Sequence, residues 1–298
     1  MRFILGYPEK HGIDGDLLDG GPIGEVAALA ERVGFEGFAL TEHPIPGANW
    51  LEHGGHQTVD PFVGLAFAAA ATERLRLLTY LAVVPYRNPF LLAKAAATLD
   101  RLSGGRFILG IGTGYHKAEF FALGVDFEER NALMDEALEV LPLAWKGEPF
   151  SYRGLHFDAR DVIFMPTPAQ DPLPIWIGGN AKVTLQRVAE RAQGWMPLAG
   201  PPEMAKSTKT PHLGDLEGLR SRVETLMADA GPRAAELDVA FPYDDVTIFE
   251  PTVHADRHRE KFAALEAAGV TWIAVTAPAR AATGVREFVQ GFGETYCA

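Results

Sequence analysis

Apolar residues follow two alternating patterns along this sequence. Short runs that are apolar at nearly every position recur eight times, and such runs are typical of parallel strands buried on both faces. The stretches between them repeat apolar residues every three or four positions, which is typical of helices that pack through one face. The eight predicted strands are Phe3–Tyr7, Gly37–Thr41, Leu75–Val84, Arg106–Ile111, Pro174–Gly178, Gly194–Leu198, a segment within Leu237–Phe249, and Thr271–Thr276.

This alternation predicts the fold class. A strand followed by a helix, repeated eight times, favours a parallel sheet wound with helices, and eight units suit a closed barrel better than an open sheet. An open Rossmann-like sheet is the alternative, but the sequence after Tyr7 lacks the G-x-G-x-x-G pattern that opens the first helix of such a sheet. We therefore predict an α/β protein, a (β/α)8 TIM barrel with insertions in its βα loops.

Three segments interrupt the regular spacing. Residues 45–60 and 200–214 follow predicted strands, so we expect them on the face where barrel enzymes have their active sites. Residues 146–173 are rich in proline and aromatic residues and contain a hairpin-like run from Phe150 to Phe157. The third predicted strand is unusually long, which predicts a bulge near its end. We interpret residues 1–298 as a single domain with an insertion at about 146–173.

Composition narrows the classes of partner. The chain carries 27 Lys and Arg against 39 Asp and Glu, a net charge of −12, which disfavours binding to nucleic acid and to anionic membranes. Its one cysteine, Cys297, allows no disulfide within the chain, and no Cys/His spacing suggests a metal site. The longest apolar runs are too short to span a bilayer, and the N-terminus does not resemble a signal peptide. We expect a soluble cytoplasmic protein.

The second predicted strand ends in the first candidate for chemistry. Residues just beyond the carboxyl ends of barrel strands project into the active site, and Glu42 and His43 lie at such a position. A carboxylate beside an imidazole can transfer protons near neutral pH. In the alternative interpretation, Glu42 pairs with a neighbouring arginine and His43 binds a loop carbonyl.

Two glycine-rich turns follow later strands. Gly112-Thr113-Gly114-Tyr115 follows the fourth strand, where glycines let the backbone approach a flat or anionic ligand closely. Gly178-Gly179-Asn180 follows the fifth strand and leads into a helix, whose free N–H groups suit a phosphate. Both turns are predicted to lie on the same face of the barrel as Glu42 and His43.

These landmarks together resemble the luciferase-like monooxygenase superfamily over nearly the whole chain. The most specific segments are Asn88-Pro89 with Thr98–Tyr115, Leu123-Gly124-Val125, and Pro174–Asn180 with Gly194-Trp195 behind it. The resemblance implies a (β/α)8 barrel whose isoalloxazine-type ring lies across the carboxyl ends of the strands. It also implies a non-prolyl cis peptide in a bulge of the third strand, at about Thr79–Tyr80.

The resemblance further implies roles for individual residues. Glu42 and His43 would form the acid–base pair at the reacting edge of the ring, and Thr79 and Tyr80 would support the ring from behind. The loop of residues 45–60 would close over a small-molecule substrate. The residues implied to contact the cofactor are Gly112, Thr113, Gly114, Tyr115, Gly178, Gly179 and Asn180, and those implied to contact substrate are Trp50, His53 and His56.

The family uses two cofactors. Its monooxygenases bind reduced FMN and activate oxygen, whereas its dehydrogenases and reductases bind the deazaflavin coenzyme F420 and transfer a hydride. Thr113 stands where bacterial luciferase has an arginine that reaches the flavin phosphate, which favours F420 and leaves FMN as the alternative. A barrel that only binds ligands, without catalysis, is a third possibility. The resemblance also implies a homodimer and a separate flavin or F420 reductase as a partner.

Overall fold

A closed barrel of eight parallel strands forms the centre of the computed structural model, which describes residues 1–279 and 282–297. Each strand pairs with the next along the chain, and the last strand pairs with the first through Phe3 and Ile273. The strands are Arg2–Gly6, Gly37–Leu40, Arg76–Thr79, Phe107–Gly112, Ile175–Gly178, Gly194–Met196, Asp238–Pro242 and Trp272–Thr276. The predicted TIM barrel is confirmed.

A helix follows each strand and covers the outside of the barrel. These helices are Ile23–Arg32, Pro61–Ala71, Pro89–Ser103, Arg130–Trp145, Lys182–Arg191, Leu216–Ala230, Ala255–Ala267 and Ala282–Phe292. Three shorter helices, Ala48–Glu52, Lys117–Ala122 and Pro202–Ser207, lie in the loops after the second, fourth and sixth strands. Among the described residues, the helices are too short or too polar to cross a bilayer.

The continuous apolar runs arise because both faces of every strand are buried. In the third strand, Leu77 packs outward against the helices, while Leu78 points into the barrel. The interior is filled by side chains from all eight strands, among them Ile4, Leu78, Ile108, Trp176, Met196 and Trp272. The barrel is therefore a packed core, and a ligand can only lie at one of its ends.

The third strand breaks near its end, as its length predicts. The strand proper stops at Thr79, and after a two-residue interruption Ala82–Val83 resumes pairing with the fourth strand. The peptide bond between Tyr80 and Leu81 is cis. The family-based placement of this bond at Thr79–Tyr80 is wrong by one residue, and Leu81 is the residue that the break turns toward the carboxyl ends of the strands.

Two small antiparallel sheets, both outside the barrel itself, lie at its opposite ends. The strands Phe150–Arg153 and Asp158–Val162 form an antiparallel hairpin within the predicted insertion of residues 146–173. Because this segment connects a helix to the following strand, it lies at the amino end of the barrel. At the carboxyl end, Lys10–His11 pairs with His56–Gln57, so the loops after the first two strands form a small sheet over the mouth.

Candidate active site

His43 lies at the mouth of the barrel and is held by a buried carboxylate. Its Nδ1 atom is 3.3 Å from both carboxylate oxygens of Glu119, a residue with no exposed surface. The same carboxylate accepts a hydrogen bond of 2.7 Å from the Tyr86 hydroxyl. The backbone N–H of His43 donates to Thr58 Oγ1 at 2.9 Å, which fixes the main chain at this point.

Glu42 is directed elsewhere, which corrects its expected role. Its carboxylate forms an ion pair with Arg87 and accepts the backbone N–H of Val83 at 2.6 Å. Burial raises the pKa of Glu42, while Arg87 and the Val83 N–H act in the opposite direction. The alternative interpretation, pairing with an arginine, describes what is observed. Glu42 ties the second strand to the segment after the third-strand break, and the carboxylate partner of His43 is Glu119.

This arrangement determines which nitrogen of His43 is available. A proton on Nδ1 donates to Glu119, so the lone pair of Nε2 faces the mouth, where the Tyr115 hydroxyl lies 3.5 Å away. Burial raises the pKa of Tyr115, and it also raises that of Tyr86, which the hydrogen bond to Glu119 raises further. Both phenols therefore keep their protons at neutral pH, and His43 Nε2 is suited to exchange a proton with a ligand.

Aromatic rings surround the His43 imidazole. The ring centroids of Trp50 and His56 lie 4.6 Å and 4.8 Å from that of His43. Burial lowers the pKa of His56 to about 3, and the nearby His43 and His11 add to this effect. Trp50 and His56 thus lie at the site as expected, where their uncharged rings pack against the His43 imidazole.

His53 does not join this cluster. It is exposed, and its Nδ1 binds the Asn49 carbonyl of its own short helix at 2.7 Å. The expectation that His53 contacts substrate is therefore not supported. His116, which the sequence patterns did not single out, packs beside His43 and Trp50 instead. Its ring centroid lies 5.0 Å from that of Trp50, and its Nε2 accepts the Gly47 N–H at 2.9 Å.

Leu81 forms a shelf between two glycines. A Cβ atom at Gly112 would lie 2.6 Å from one methyl of Leu81, and a Cβ at Gly178 would lie 2.1 Å from the other. Both positions must therefore be glycine for Leu81 to lie across the strand ends. Thr79, which was expected to support a ring, is fully buried and donates its hydroxyl to the Gly110 carbonyl at 2.7 Å. Thr79 is therefore enclosed within the fold, and the side chain that lies across the strand ends is that of Leu81.

The start of the helix after the fifth strand offers backbone donors beside this shelf. In the turn before it, Gly179 has a φ of +113° and its N–H already donates to the Met196 carbonyl at 3.0 Å. The following helix, Lys182–Arg191, has Ala181 as its N-cap residue and so lacks a side-chain cap, which leaves its first N–H groups for an anion. This geometry suits the phosphate expected here.

Asn180 contributes to this turn differently from the expectation. Its side-chain amide donates to the carbonyls of Leu198 and Pro211 at 2.8 Å and 2.9 Å, and its Oδ1 accepts the Leu198 N–H. Its own backbone N–H donates to Thr210 Oγ1. Because these polar atoms are engaged within the protein, Asn180 shapes the turn rather than binding a phosphate through its side chain.

The remaining expected residues line the mouth. Thr113 and Gly114 are half-buried after the fourth strand, and a Cβ at Gly114 would collide with Val83 and Phe120. Tyr80 packs on the side chains that fill the barrel interior, and its burial raises the pKa of its hydroxyl. A cofactor contact of Thr113 remains a prediction.

Comparisons with known proteins identify the family. A sequence model described as luciferase-like monooxygenase matches residues 6–242. The chain is 30% identical over 249 residues to an F420-dependent glucose-6-phosphate dehydrogenase of Microbacterium testaceum, which covers 80% of this chain and 67% of that enzyme. The chain belongs to the luciferase-like monooxygenase family.

Two further comparisons describe this membership. An uncharacterized protein of Mycobacterium tuberculosis is 34% identical over 177 residues, and the match spans 59% of this chain but only 57% of that relative's length. The solved F420-dependent tetrahydromethanopterin reductase of Methanopyrus kandleri has a TM-score of 0.72 at 19% identity, covering 99% of this chain and 97% of the reductase. This structural likeness confirms the luciferase-like barrel.

Sequence patterns missed several residues of this luciferase-like site. Besides Glu119, Tyr86 and His116, the mouth contains Glu9, whose carboxylate is 3.6 Å from His56 Nε2. Burial raises the pKa of Glu9. Glu9 follows the first strand, so its position after a strand end was the one signal that could have identified it.

A cavity of about 800 Å³ opens at the amino end of the barrel, away from His43. Its lining includes Arg2, Asp238 and Trp272. Arg2 pairs with Asp238, and its guanidinium lies 4.2 Å from the Trp272 ring, so these charged and aromatic groups stabilise each other. Since chemistry in TIM barrels takes place at the carboxyl ends of the strands, we assign the site to the mouth around His43.

Proposed function

We propose that this protein is an oxidoreductase that uses the deazaflavin coenzyme F420 to transfer a hydride to or from a small organic substrate at the barrel mouth. The observation that carries the proposal is the His43 imidazole, held at Nδ1 by the buried Glu119, with Nε2 at the mouth 3.5 Å from the Tyr115 hydroxyl. The F420-dependent dehydrogenase of Microbacterium testaceum, 30% identical over most of this chain, supports the choice of cofactor.

The residues at the mouth fit such a cofactor. Leu81 presents a flat apolar surface because Gly112 and Gly178 leave it room, and a planar ring can stack on such a surface. The uncapped start of helix Lys182–Arg191 offers N–H donors for a phosphate. A flat group with a phosphate therefore matches both the shelf and this helix start.

Each neighbouring residue has a defined task in this proposal. When bound, the cofactor supplies the hydride chemistry, and the protein supplies orientation and a dry site. His43 Nε2 takes or gives the proton that accompanies hydride transfer at a substrate oxygen, while Glu119 keeps the proton on Nδ1. Trp50, His56 and the small sheet above them exclude water from the reacting groups.

A monooxygenase that uses reduced FMN is the second candidate, because the matching family model is described by that activity. Titrating the purified protein with F420 and with FMN in parallel, with fluorescence as the readout, separates the two. We expect F420 to bind at least ten times more tightly than FMN, about 1.4 kcal/mol or more. Equal affinities, or tighter binding of FMN, would favour the monooxygenase. If the protein binds neither F420 nor FMN, both proposed activities are wrong, and the barrel that only binds other ligands is favoured.

A glycine variant locates the binding in the same assay. Gly178→Ala places a methyl group 2.1 Å from Leu81 and should displace the shelf, which weakens binding of F420. The matched control is Gly291→Ala, where the nearest atom to the new methyl is 3.8 Å away. If both variants bind F420 like the parent protein, the ring does not rest on Leu81.

We also propose that the protein is a homodimer and that, when it transfers a hydride to its substrate, it receives reduced cofactor from a separate reductase. Exposed apolar side chains on two adjacent barrel helices, Val63, Phe67 and Leu91, support the pairing of two copies. Light scattering should give a mass of twice the 32.3 kDa chain. A mass of one chain at micromolar concentration would contradict the homodimer.

A further inference from the structure

Three cationic side chains converge on one buried aromatic ring at the rim of the mouth. Lys117 Nζ and Lys209 Nζ lie 4.8 Å and 4.2 Å from the centroid of the Phe127 ring, and the Arg130 guanidinium carbon lies 3.9 Å from it. The three come from different segments: the first turn of helix Lys117–Ala122, the first turn of helix Arg130–Trp145, and the loop after the sixth strand. We call Lys117, Arg130 and Lys209 the rim cations.

Phe127 connects the rim cations to the first glycine turn. Its ring packs edge-on against Phe120 at 5.0 Å, and a Cβ at Gly114 would lie 2.9 Å from the Phe120 ring. Leu81 contacts the same small apolar cluster. The rim cations are therefore one aromatic layer away from the turn that follows the fourth strand.

Lys209 connects the rim cations to the second glycine turn. Its neighbour Thr210 accepts the backbone N–H of Asn180 at 2.9 Å. Thr210 Oγ1 would also lie 3.8 Å from a Cβ atom at Gly179. The rim cations thus lie beside both turns, next to the end of the mouth where the phosphate is proposed to bind.

Carboxylates balance these charges only in part. Glu128 lies 3.8 Å from both Lys117 and Arg130, at the outer limit of an ion pair, and its side chain is 74% exposed. Within residues 1–279 and 282–297, Lys209 Nζ has no carboxylate within 4.0 Å. Lys209 therefore has no carboxylate partner among the described residues, and Lys117 and Arg130 share one distant, exposed partner, so the two lysines can bind a further anion.

We propose that the rim cations bind the anionic tail of the deazaflavin. This inference rests on the proposed function. Coenzyme F420 continues from its phosphate into a chain of glutamate carboxylates, whereas FMN ends at its phosphate. Carboxylates that extend from the phosphate meet Lys209 and Lys117, where charge–charge attraction binds them, while the Phe127 ring holds the two ammonium groups in place. The rim cations thereby contribute to the preference for F420 over FMN.

The experiment compares two ligands and three variants by fluorescence titration, without substrate. The ligands are F420 with its glutamate tail and the deazaflavin riboside in its 5′-phosphate form, which carries the phosphate but lacks the tail. The variants are Lys117→Gln, Lys209→Gln and the two combined. The control is Lys206→Gln, which removes an exposed lysine from helix Pro202–Ser207 in the same loop as Lys209.

We expect each rim variant to weaken F420 binding about two- to fivefold at low salt, as for exposed charge pairs, and the double variant to weaken it about tenfold. Binding of the riboside should not change, and Lys206→Gln should behave like the parent protein. Added salt should weaken F420 binding to the parent more than to the double variant. Arg130 is left intact because it also donates to the Phe127 carbonyl at 2.8 Å.

The outcomes separate this inference from the proposed function. If the parent binds F420 and the riboside, but the double variant binds F420 as tightly as the parent, the tail site is wrong and the deazaflavin site stands. If the parent binds neither ligand, both proposals are wrong. Weakening of F420 and riboside binding to the same extent would place the lysines in folding or ring binding, and that result also overturns the tail site.

Discussion

Replacing Glu119 by glutamine tests how His43 is held. The amide keeps the shape of the side chain but has one acceptor oxygen instead of two. If that oxygen accepts the Tyr86 hydroxyl, the amide N–H2 faces His43 Nδ1, which must then become an acceptor and move the imidazole proton to Nε2. A proton on Nε2 removes the lone pair that we propose exchanges protons with substrate.

The loss expected in Glu119→Gln can be worked out from the hydrogen bonds that the Glu119 carboxylate accepts from His43 and from Tyr86. Each bond to a charged group contributes about 1.5–3 kcal/mol, but the 3.3 Å contacts of His43 are longer than the charge-assisted norm of about 2.7–2.9 Å, so their contribution lies at the lower end. Neutralising a group with no exposed surface recovers part of this loss. We expect Glu119→Gln to lower the free energy of unfolding by about 1–2 kcal/mol and turnover by about 10²–10⁴.

Nitrogen-15 NMR of the histidine side chains measures the tautomer directly, and urea denaturation measures the loss of stability. In the parent protein the proton of neutral His43 should be on Nδ1, and in Glu119→Gln it should be on Nε2. The matched control is Tyr86→Phe, which removes the 2.7 Å hydrogen bond but leaves the carboxylate, and so should keep the parent tautomer. A His43 proton on Nε2 in the parent protein would refute this account of His43.

Three further predictions concern other parts of the fold. Arg87→Met leaves Glu42 buried without its partner and should lower the free energy of unfolding, measured in urea, by about 3–5 kcal/mol. Adding Glu42→Gln should restore most of this loss. A loss below about 1 kcal/mol in Arg87→Met would contradict the ion pair. Burial acts to raise the pKa of Glu31, but backbone N–H donors at residues 73–75 outweigh it and lower the pKa. The stabilisation by Glu31 is therefore complete above the unfolded-state pKa of about 4.3 and is lost as pH falls below it, so Glu31→Gln should flatten the acid limb of a stability–pH curve. Burial raises the pKa of Cys297 to about 12. At about pH 8 its thiol should therefore react with a disulfide reagent far more slowly in the folded protein than in urea. Equal reaction rates would show that the thiol is accessible in the folded protein.

The barrel could be predicted from the sequence because its signals are local. The strands are apolar on both faces, and most of the covering helices repeat their apolar residues at helical spacing, so these elements are visible within about ten residues. The bulge was also predictable from the length of Leu75–Val84. The position of the cis bond is implied only by the resemblance to a family, and a resemblance does not determine a bond within a break to one residue.

The site was only partly predictable because its hydrogen bonds join distant segments. His43 and Tyr115 were placed correctly at the mouth, since each follows a strand end. Glu119 is 76 residues from His43, and a glutamate in the first turn of a helix is usually explained by the helix dipole and solvent. Thr79 and Asn180 were given cofactor roles because their actual partners cannot be read from neighbouring residues.

The most direct test of the central claim is a crystal structure of the protein with F420. We predict the deazaflavin ring on Leu81, between Gly112 and Gly178, with His43 Nε2 toward the ring and the phosphate at the start of helix Lys182–Arg191. A ring bound in the cavity of about 800 Å³ at the amino end of the barrel, beside Trp272, would contradict the account.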